Sequence, residues 1–197
     1  MDIVVVNHVT LDGVMQGPGW PEEDTRGGFT HGGWADADTD DVMLKAWGEE
    51  MNDSSGFLFG RRTYEGIMSY WNKKGGAFRD SLNSARKYVV SESLSEPLEW
   101  PNSTLISGDV PARIAELKEE PGDDLHIMGS GKLIQSLGAH DLIDKYVLSI
   151  HALVLGTGLR LFEEGFVPTA FKLAGTTTTT TGVVIATFTN GTRPKTP

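Results

Sequence analysis

Twice in this chain a short apolar run stops at a glycine and a helical pattern begins at once: Phe57-Leu58-Phe59 before Gly60, and Leu125-His126-Ile127-Met128 before Gly129-Ser130-Gly131. A strand that turns directly into a helix sends the chain back over the sheet before the next strand, so this word order selects parallel pairing with right-handed crossovers. The opening run Ile3-Val4-Val5-Val6 fits the same plan. Four β-branched residues in a row leave no polar face, as in a central strand covered on both sides.

Around these anchors the reading is α/β in three layers, one domain over residues 1–197. Met43, Leu44, Trp47 and Met51 fall at helical spacing within 38–51, and a second helix runs from Arg61 to about Tyr70. Lys87–Ser91 and Thr104–Ser107 read as strands. Asp109 caps a helix with Pro111 in its first turn, and a helix carrying Leu133, Ile134 and Leu137 ends at Gly138. Beyond it the strand-like runs Ile143–Leu155, Leu159–Phe162, Phe171–Thr176 and Val183–Thr189 have no helix between them. The sheet is therefore expected to be mixed and mostly parallel, with antiparallel C-terminal strands. The six threonines at 176–181 read as exposed strand and turn.

Residues 14–37 hold six glycines, two prolines, Trp20, Phe29 and Trp34, with no sustained period. A segment of that length without regular structure is usually functional, and its aromatics argue against disorder.

Charge narrows the partners. The formal net charge is −10, and residues 1–55 carry twelve acids against two cations, which speaks against nucleic acid. Cysteine is absent, so disulfides and thiolate chemistry are excluded. No apolar run is long enough to span a membrane, and a cytoplasmic location is expected. His8, His31, His126, His140 and His151 lie far apart without metal-ligand spacing, and no metal is expected. The acids at 22–24 and at 36, 38, 40 and 41 read as solvated surface.

Both glycine turns offer backbone N–H groups at a helix N-terminus, where an anion is favoured. At Gly60-Arg61-Arg62-Thr63 the guanidiniums can grip a phosphate and the Thr63 hydroxyl can donate to it. Two cations at that helix end oppose its dipole, which favours a functional role; solvated helix-start cations are the competing reading. At Gly129-Ser130-Gly131-Lys132, Ser130 can cap the helix and the glycines can admit a pyrophosphate; tight packing is the competing reading. Asp12, in Thr10-Leu11-Asp12-Gly13, either orients a substrate and relays a proton or makes a side-chain turn before Gly13.

The order of Thr10-Leu11-Asp12-Gly13, Phe59-Gly60-Arg61-Arg62-Thr63-Tyr64-Glu65, Gly129-Ser130-Gly131 and Leu155-Gly156-Thr157-Gly158-Leu159-Arg160-Leu161-Phe162 resembles the dihydrofolate-reductase-like superfamily. Within it the chain is most similar to small single-domain proteins related to the reductase domain of the riboflavin-biosynthesis deaminase-reductase. The resemblance implies an NADPH-dependent oxidoreductase, commonly a homodimer, passing hydride to a pterin-like or aminopyrimidine substrate. It places Gly60, Arg61, Arg62 and Thr63 at the adenosine-side phosphates, Ser91 near the 2′-phosphate, and Gly129, Ser130, Gly131, Lys132 and Leu133 at the pyrophosphate. Arginines there agree with a 2′-phosphate, where an NAD site places a carboxylate. The 14–37 segment takes the place of a lid, with Trp34 and Asp12 on the substrate side. Where the riboflavin reductases ordinarily carry a glutamate before the glycine turn, this chain has Met128. That difference leaves dihydrofolate reduction, or cofactor binding without catalysis, as alternatives.

Overall fold

The computed structural model describes residues 1–51 and 56–191. Eight strands form one sheet: β1 (Ile3–Thr10), β2 (Gly56–Gly60), β3 (Lys87–Val90), β4 (Ser103–Ile106), β5 (Leu125–Ile127), β6 (Lys145–His151), β7 (Phe171–Thr178) and β8 (Val184–Asn190). Their spatial order is β4-β3-β2-β5-β1-β6-β8-β7. All pairs are parallel up to β6; β8 joins β6 antiparallel and β7 joins β8 antiparallel. The helices are α1 (Asp41–Glu50), α2 (Arg61–Lys74), α3 (Ala77–Ser84), α4 (Val110–Glu119) and α5 (Gly131–Ala139).

Strand alternation explains the layers. Ile3 and Val5 point to one face, where they join Ile114 and Leu117 of α4 and Leu133, Ile134 and Leu137 of α5. Val4 and Val6 point to the other, against Met43 of α1, and further along that face Phe57 and Phe59 meet Tyr64, Ile67 and Met68 of α2. The first strand is covered on both sides, as its composition predicts.

Several boundaries differ from the sequence reading. Helix α2 runs past Tyr70 to Lys74 and stops at Gly75, whose φ of 79° suits glycine. Helix α3 has no counterpart in the sequence reading, because eight residues with Phe78 and Leu82 as inward positions give too short a period to read. The expected strand Leu159–Phe162 is instead a loop segment with a single antiparallel bridge between Val14 and Arg160. Its backbone groups are satisfied by the 13–15 turn, through Met15 N–H to Leu159 O (2.9 Å) and Leu161 N–H to Gly13 O (2.9 Å), so it never joins the sheet. Strand β6 ends at His151, well before Leu155. Helix α1 begins at Asp41 with Asp40 as its cap, accepting from the Met43 N–H at 2.8 Å; Asp38 lies in a separate 3-10 turn, Asp36–Asp38.

Lys87, 1% exposed, closes α3. Its ammonium donates to the carbonyls of Leu82 (2.6 Å), Ala85 (2.7 Å) and Asn83 (3.4 Å). Burial lowers its pKa to about 8, so it remains mostly protonated at neutral pH. Lys87→Met is expected to cost about 2–3 kcal/mol in chemical denaturation, because the carbonyls lose a charged donor that water replaces poorly; an unchanged midpoint contradicts that role. Among the described residues no helix is long and apolar enough to cross a membrane, and no group of acids and histidines is arranged to hold a metal ion.

Candidate active site

Strand β1 pairs with β5 only from Ile3↔Leu125 to Val5↔Ile127, whereas its pairing with β6 continues to Thr10↔His151. Past Val5, then, β1 follows β6 and parts from β5. The chain leaves β1 towards β2 and leaves β5 towards β6, in opposite directions across the sheet. Crevices at the carboxyl ends of such strands are where open α/β sheets take their ligands.

Both glycine turns stand at this edge, and they are locked to each other. The Gly60 N–H donates to Ser130 Oγ (2.9 Å), and the Ser130 N–H donates to Thr63 Oγ1 (3.1 Å). From β1, Asn7 Oδ1 accepts from the Gly129 N–H at 2.6 Å and Asn7 Nδ2 donates to Gly129 O at 3.4 Å. Gly129 has φ +60°, and a Cβ there would stand 3.1 Å from Thr63 Cγ2. The positive φ favours glycine, and a Cβ there would crowd the Thr63 side chain of the second turn.

This lock corrects one expectation. Ser130 does not cap α5; it is itself left-handed (φ 56°, ψ 41°) and spends its hydroxyl across the crevice on Gly60. Each hydroxyl accepts once in the lock, so Ser130 and Thr63 both keep a hydrogen to donate. Leu133 is a second correction: its side chain lies in the core and its N–H donates to Ser130 O at 2.8 Å, leaving no polar group for a pyrophosphate. Lys132 is exposed on α5, beside a groove of about 500 Å³ that also touches Gln135 and Gly165.

Arg61 and Arg62 open α2. Arg61 donates through Nε to Glu65 Oε1 (2.9 Å) and through Nη1 to Ser93 Oγ (2.6 Å). Arg62 is exposed and its side chain makes no ion pair or hydrogen bond among the described residues. Ser91, at the end of β3, is buried and accepts from the N–H groups of Ser93 and Leu94, both at 3.1 Å. Its hydroxyl shapes the loop, and it is Ser93, which the sequence reading missed, that reaches Arg61.

Asp12 belongs to the turn. Its carboxylate accepts from Thr10 Oγ1 (2.6 Å) and from the N–H groups of Leu155 (3.2 Å) and Gly156 (2.9 Å), with Arg160 Nη2 at 3.4 Å. The Thr10 hydrogen bond, aided by those backbone donors, holds its pKa down to about 2. A carboxyl so placed stays ionised and committed to its own chain, which corrects the expected proton relay.

The 14–37 segment is ordered from within. Gln16, 4% exposed, donates to the carbonyls of Asp24 (3.2 Å) and Arg26 (3.0 Å) and accepts from the Leu159 N–H (2.9 Å). Trp20 stacks on Tyr70 of α2 with centroids 4.0 Å apart, and Phe29 is buried. These two aromatics pin the segment over the edge of the sheet. Glu23 is not solvated surface: it accepts from the Gly19 N–H (2.5 Å), and burial pushes its pKa up from 4.5 to about 7. A carboxyl with a raised folded pKa binds more protons folded than unfolded, so its contribution is full below 4.5 and fades as pH rises to 7. Glu23→Gln is expected to flatten that fall in thermal melts taken across this window; a parallel fall in the variant contradicts it.

What the sequence reading missed lies on the α1 side of β1. His151 Nδ1 is 2.8 Å from Asp38 Oδ2, and His151 Nε2 is 2.9 Å from His8 Nδ1. The His8 ring lies 4.6 Å from Trp47 and 6.4 Å from Trp34, whose edge also meets His151 at 5.2 Å. Trp34 donates through Nε1 to Gln16 O (2.7 Å), and Trp47 through Nε1 to Ser149 Oγ (3.1 Å), so both rings are held. Asp38 and Asp40 are likewise not free surface acids. Thr181 Oγ1 donates to the Asp38 carbonyl (2.7 Å), and Thr180 donates to Asp40 through its N–H (2.7 Å) and hydroxyl (2.6 Å). The threonine tract, which reads as exposed strand and turn, thus fixes the turn carrying Asp38. Met128, where the resemblance expects a glutamate, packs into the apolar cluster of Phe57 and Phe59.

A family model described as the RibD C-terminal domain matches residues 2–185. The uncharacterized protein YyaP of Bacillus subtilis (strain 168) is 27% identical over 185 residues, covering 89% of this chain and 88% of its own length. YwjB of the same organism, also uncharacterized, is 34% identical over 125 residues, 60% of this chain and 64% of its own. Among solved structures, a putative riboflavin biosynthesis protein from Shewanella sp. PV-4 superposes with a TM-score of 0.73 at 22% identity, over 98% of this chain and all (100%) of that one. Dihydrofolate reductase from Enterococcus faecalis, complexed with NADP(H) and RAB-propyl, gives 0.62 at 12% identity over 97% of each chain. A pyrimidine reductase-like protein from Corynebacterium diphtheriae gives 0.63 at 11% identity, over 97% of this chain and 92% of its own. The fold is dihydrofolate-reductase-like.

Proposed function

We propose, from the premise that this chain belongs to the RibD C-terminal domain family, that it is an NADPH-dependent reductase acting on a pterin-like or aminopyrimidine ring. The observation that carries the reading is the reciprocal lock between the two glycine turns, one of which opens α2 with Arg61 and Arg62, beside the parting of β1 from β5. Those residues fit a dinucleotide phosphate: two helix N-termini, two hydroxyls with a hydrogen to spare, and an unpaired Arg62. Gly60, Thr63, Gly129, Ser130 and Gly131 would line the phosphates, with Arg61 and Arg62 at the 2′-phosphate and Ser93 steering Arg61. When bound, the reduced nicotinamide supplies the hydride. The aromatic-walled pair His8 and His151 lies on the substrate side. A homodimer fits the outermost strand β7, which is exposed along nearly its whole length and presents Leu173 at 55% exposure.

The test is a thermal shift with NADPH against NADH, followed by anaerobic loss of reduced-nicotinamide absorbance with dihydrofolate, a phosphoribosylaminopyrimidine and a quinone panel. The expected result is a larger shift with NADPH and turnover of one ring substrate. An NADH preference contradicts the reading. Met128 favours one competing reading, a cofactor-binding protein without catalysis, for which NADPH binds and no substrate is turned over.

A further inference from the structure

His8 follows Asn7, the residue that holds Gly129, and strand alternation turns its ring to the α1 side where β1 parts from β5. One ring nitrogen is committed, Nδ1 to His151; Nε2 has no hydrogen-bond partner among the described residues and the residue is only partly buried. Behind it, His151 is fully buried while the Asp38 side chain is 38% exposed. A chain from a partly exposed carboxylate through a buried imidazole to an imidazole with one free nitrogen costs the fold one fully buried ring and one partly buried ring. Pinning the end of β6 needs neither.

We propose that His8 is the catalytic proton donor to the substrate's heteroatom, with His151 and Asp38 as positioning residues that hold the proton it gives; this rests on the reductase reading above. Burial, with the neighbouring His151 adding to it, lowers His8 to about 3, so His8 stays neutral, and His151 is the ring of the pair that faces the Asp38 carboxylate. In the loaded state the Asp38 carboxylate accepts from His151 Nδ1–H, His151 Nε2–H donates to His8 Nδ1, and His8 carries its hydrogen on Nε2. The carbon of a C=N or C=O bond takes the hydride, and its π electrons form the new bond from the heteroatom to the His8 Nε2 hydrogen. The electrons of that N–H bond stay on His8, which takes the His151 Nε2 proton at Nδ1. The pair ends neutral and is reloaded from water. Of the elements around it, α1 contributes Trp47, β6 contributes Ser149 and the 14–37 segment contributes Trp34; among these described groups Asp38 is the charged one.

Nitrogen NMR of the imidazoles in the substrate-free protein reads the chain directly. The expected result is His8 neutral throughout with its hydrogen on Nε2, and any proton the pair takes up found on the ring that faces Asp38. Asp38→Asn is expected to weaken proton uptake by the pair, because the carboxylate that His151 Nδ1 faces is gone. Independent titration of the two rings, or no uptake above the acid denaturation range, overturns the proposal. With the ring substrate turned over in the panel, His8→Phe is expected to slow single-turnover reduction about 10²–10⁴-fold, with NADPH affinity unchanged and the acid limb of the pH profile lost. Asp38→Glu is expected to restore most of what Asp38→Asn removes. If NADPH does not bind the native chain, or no substrate is reduced, the reductase reading fails and the proposal with it. If reduction proceeds and His8→Phe keeps both rate and pH profile, the proposal alone fails.

Discussion

Replacing both guanidiniums, Arg61→Ala with Arg62→Ala, is expected to weaken NADPH binding about 10²-fold or more, the loss of one to two charge-assisted hydrogen bonds to a phosphate. The two arginines are not equivalent. Arg62 has no partner to give up, whereas Arg61 is shared with Glu65 and Ser93 in the free protein. An exposed pair of that kind is worth about 0–1 kcal/mol, so Arg61 can be recruited at small cost. NADH affinity should change far less, because the missing phosphate is what the arginines are proposed to hold. The fold gives an independent check. Two cations at the start of α2 oppose its dipole at about 0.3–1 kcal/mol each, so the double variant should melt no lower than the native chain. Equal loss of NADH and NADPH binding contradicts a 2′-phosphate site; a marked drop in melting temperature makes the arginines structural.

Gly32→Ala is expected to be the most damaging single methyl in the 14–37 segment. A Cβ on Gly32 would stand 2.1 Å from the Pro21 carbonyl oxygen and 2.7 Å from its carbon. Backbone cannot yield as a side chain tip does, so the two limbs of the segment must separate. They are held by Gly33 N–H to Gly17 O (2.8 Å) and Ala35 N–H to Pro18 O (3.0 Å), and Trp34 lies between those bonds. The cost is expected at about 2–4 kcal/mol, the upper range for forced overpacking, which is about 4–16 °C in Tm for a chain of this length. Gly48→Ala and Gly66→Ala provide the contrast. Both positions are helical with nothing within 4 Å of the new methyl, so each should gain about 0.5–1 kcal/mol. A Gly32→Ala protein that melts with the native chain shows that the limbs are free to part.

Local patterns proved legible where a single residue type forces a single outcome. The unbroken β-branched run Ile3-Val4-Val5-Val6 predicts a strand with two buried faces, and Asp109 with Pro111 predicts the start of α4, whose Ala112 N–H does donate to Asp109 Oδ1 at 3.2 Å. Boundaries were less legible, because they depend on which backbone groups find partners elsewhere. Leu159–Phe162 has the composition of a strand, but the 13–15 turn satisfies it first.

By itself the sequence determined the alternation of strands and helices, hence the largely parallel sheet, and it placed two glycine turns and two opposed cations at helix starts. Those are short-range consequences of periodicity and of glycine's freedom at positive φ. Tertiary structure alone decided how each polar group is spent. It gave Asp12 to a turn and the Ser130 hydroxyl to the opposite loop, and it joined Asp38 to His151 and His151 to His8, residues 113 and 143 positions apart. Pairings of that kind depend on strand order and register. Nothing in the spacing of residues along the chain encodes them.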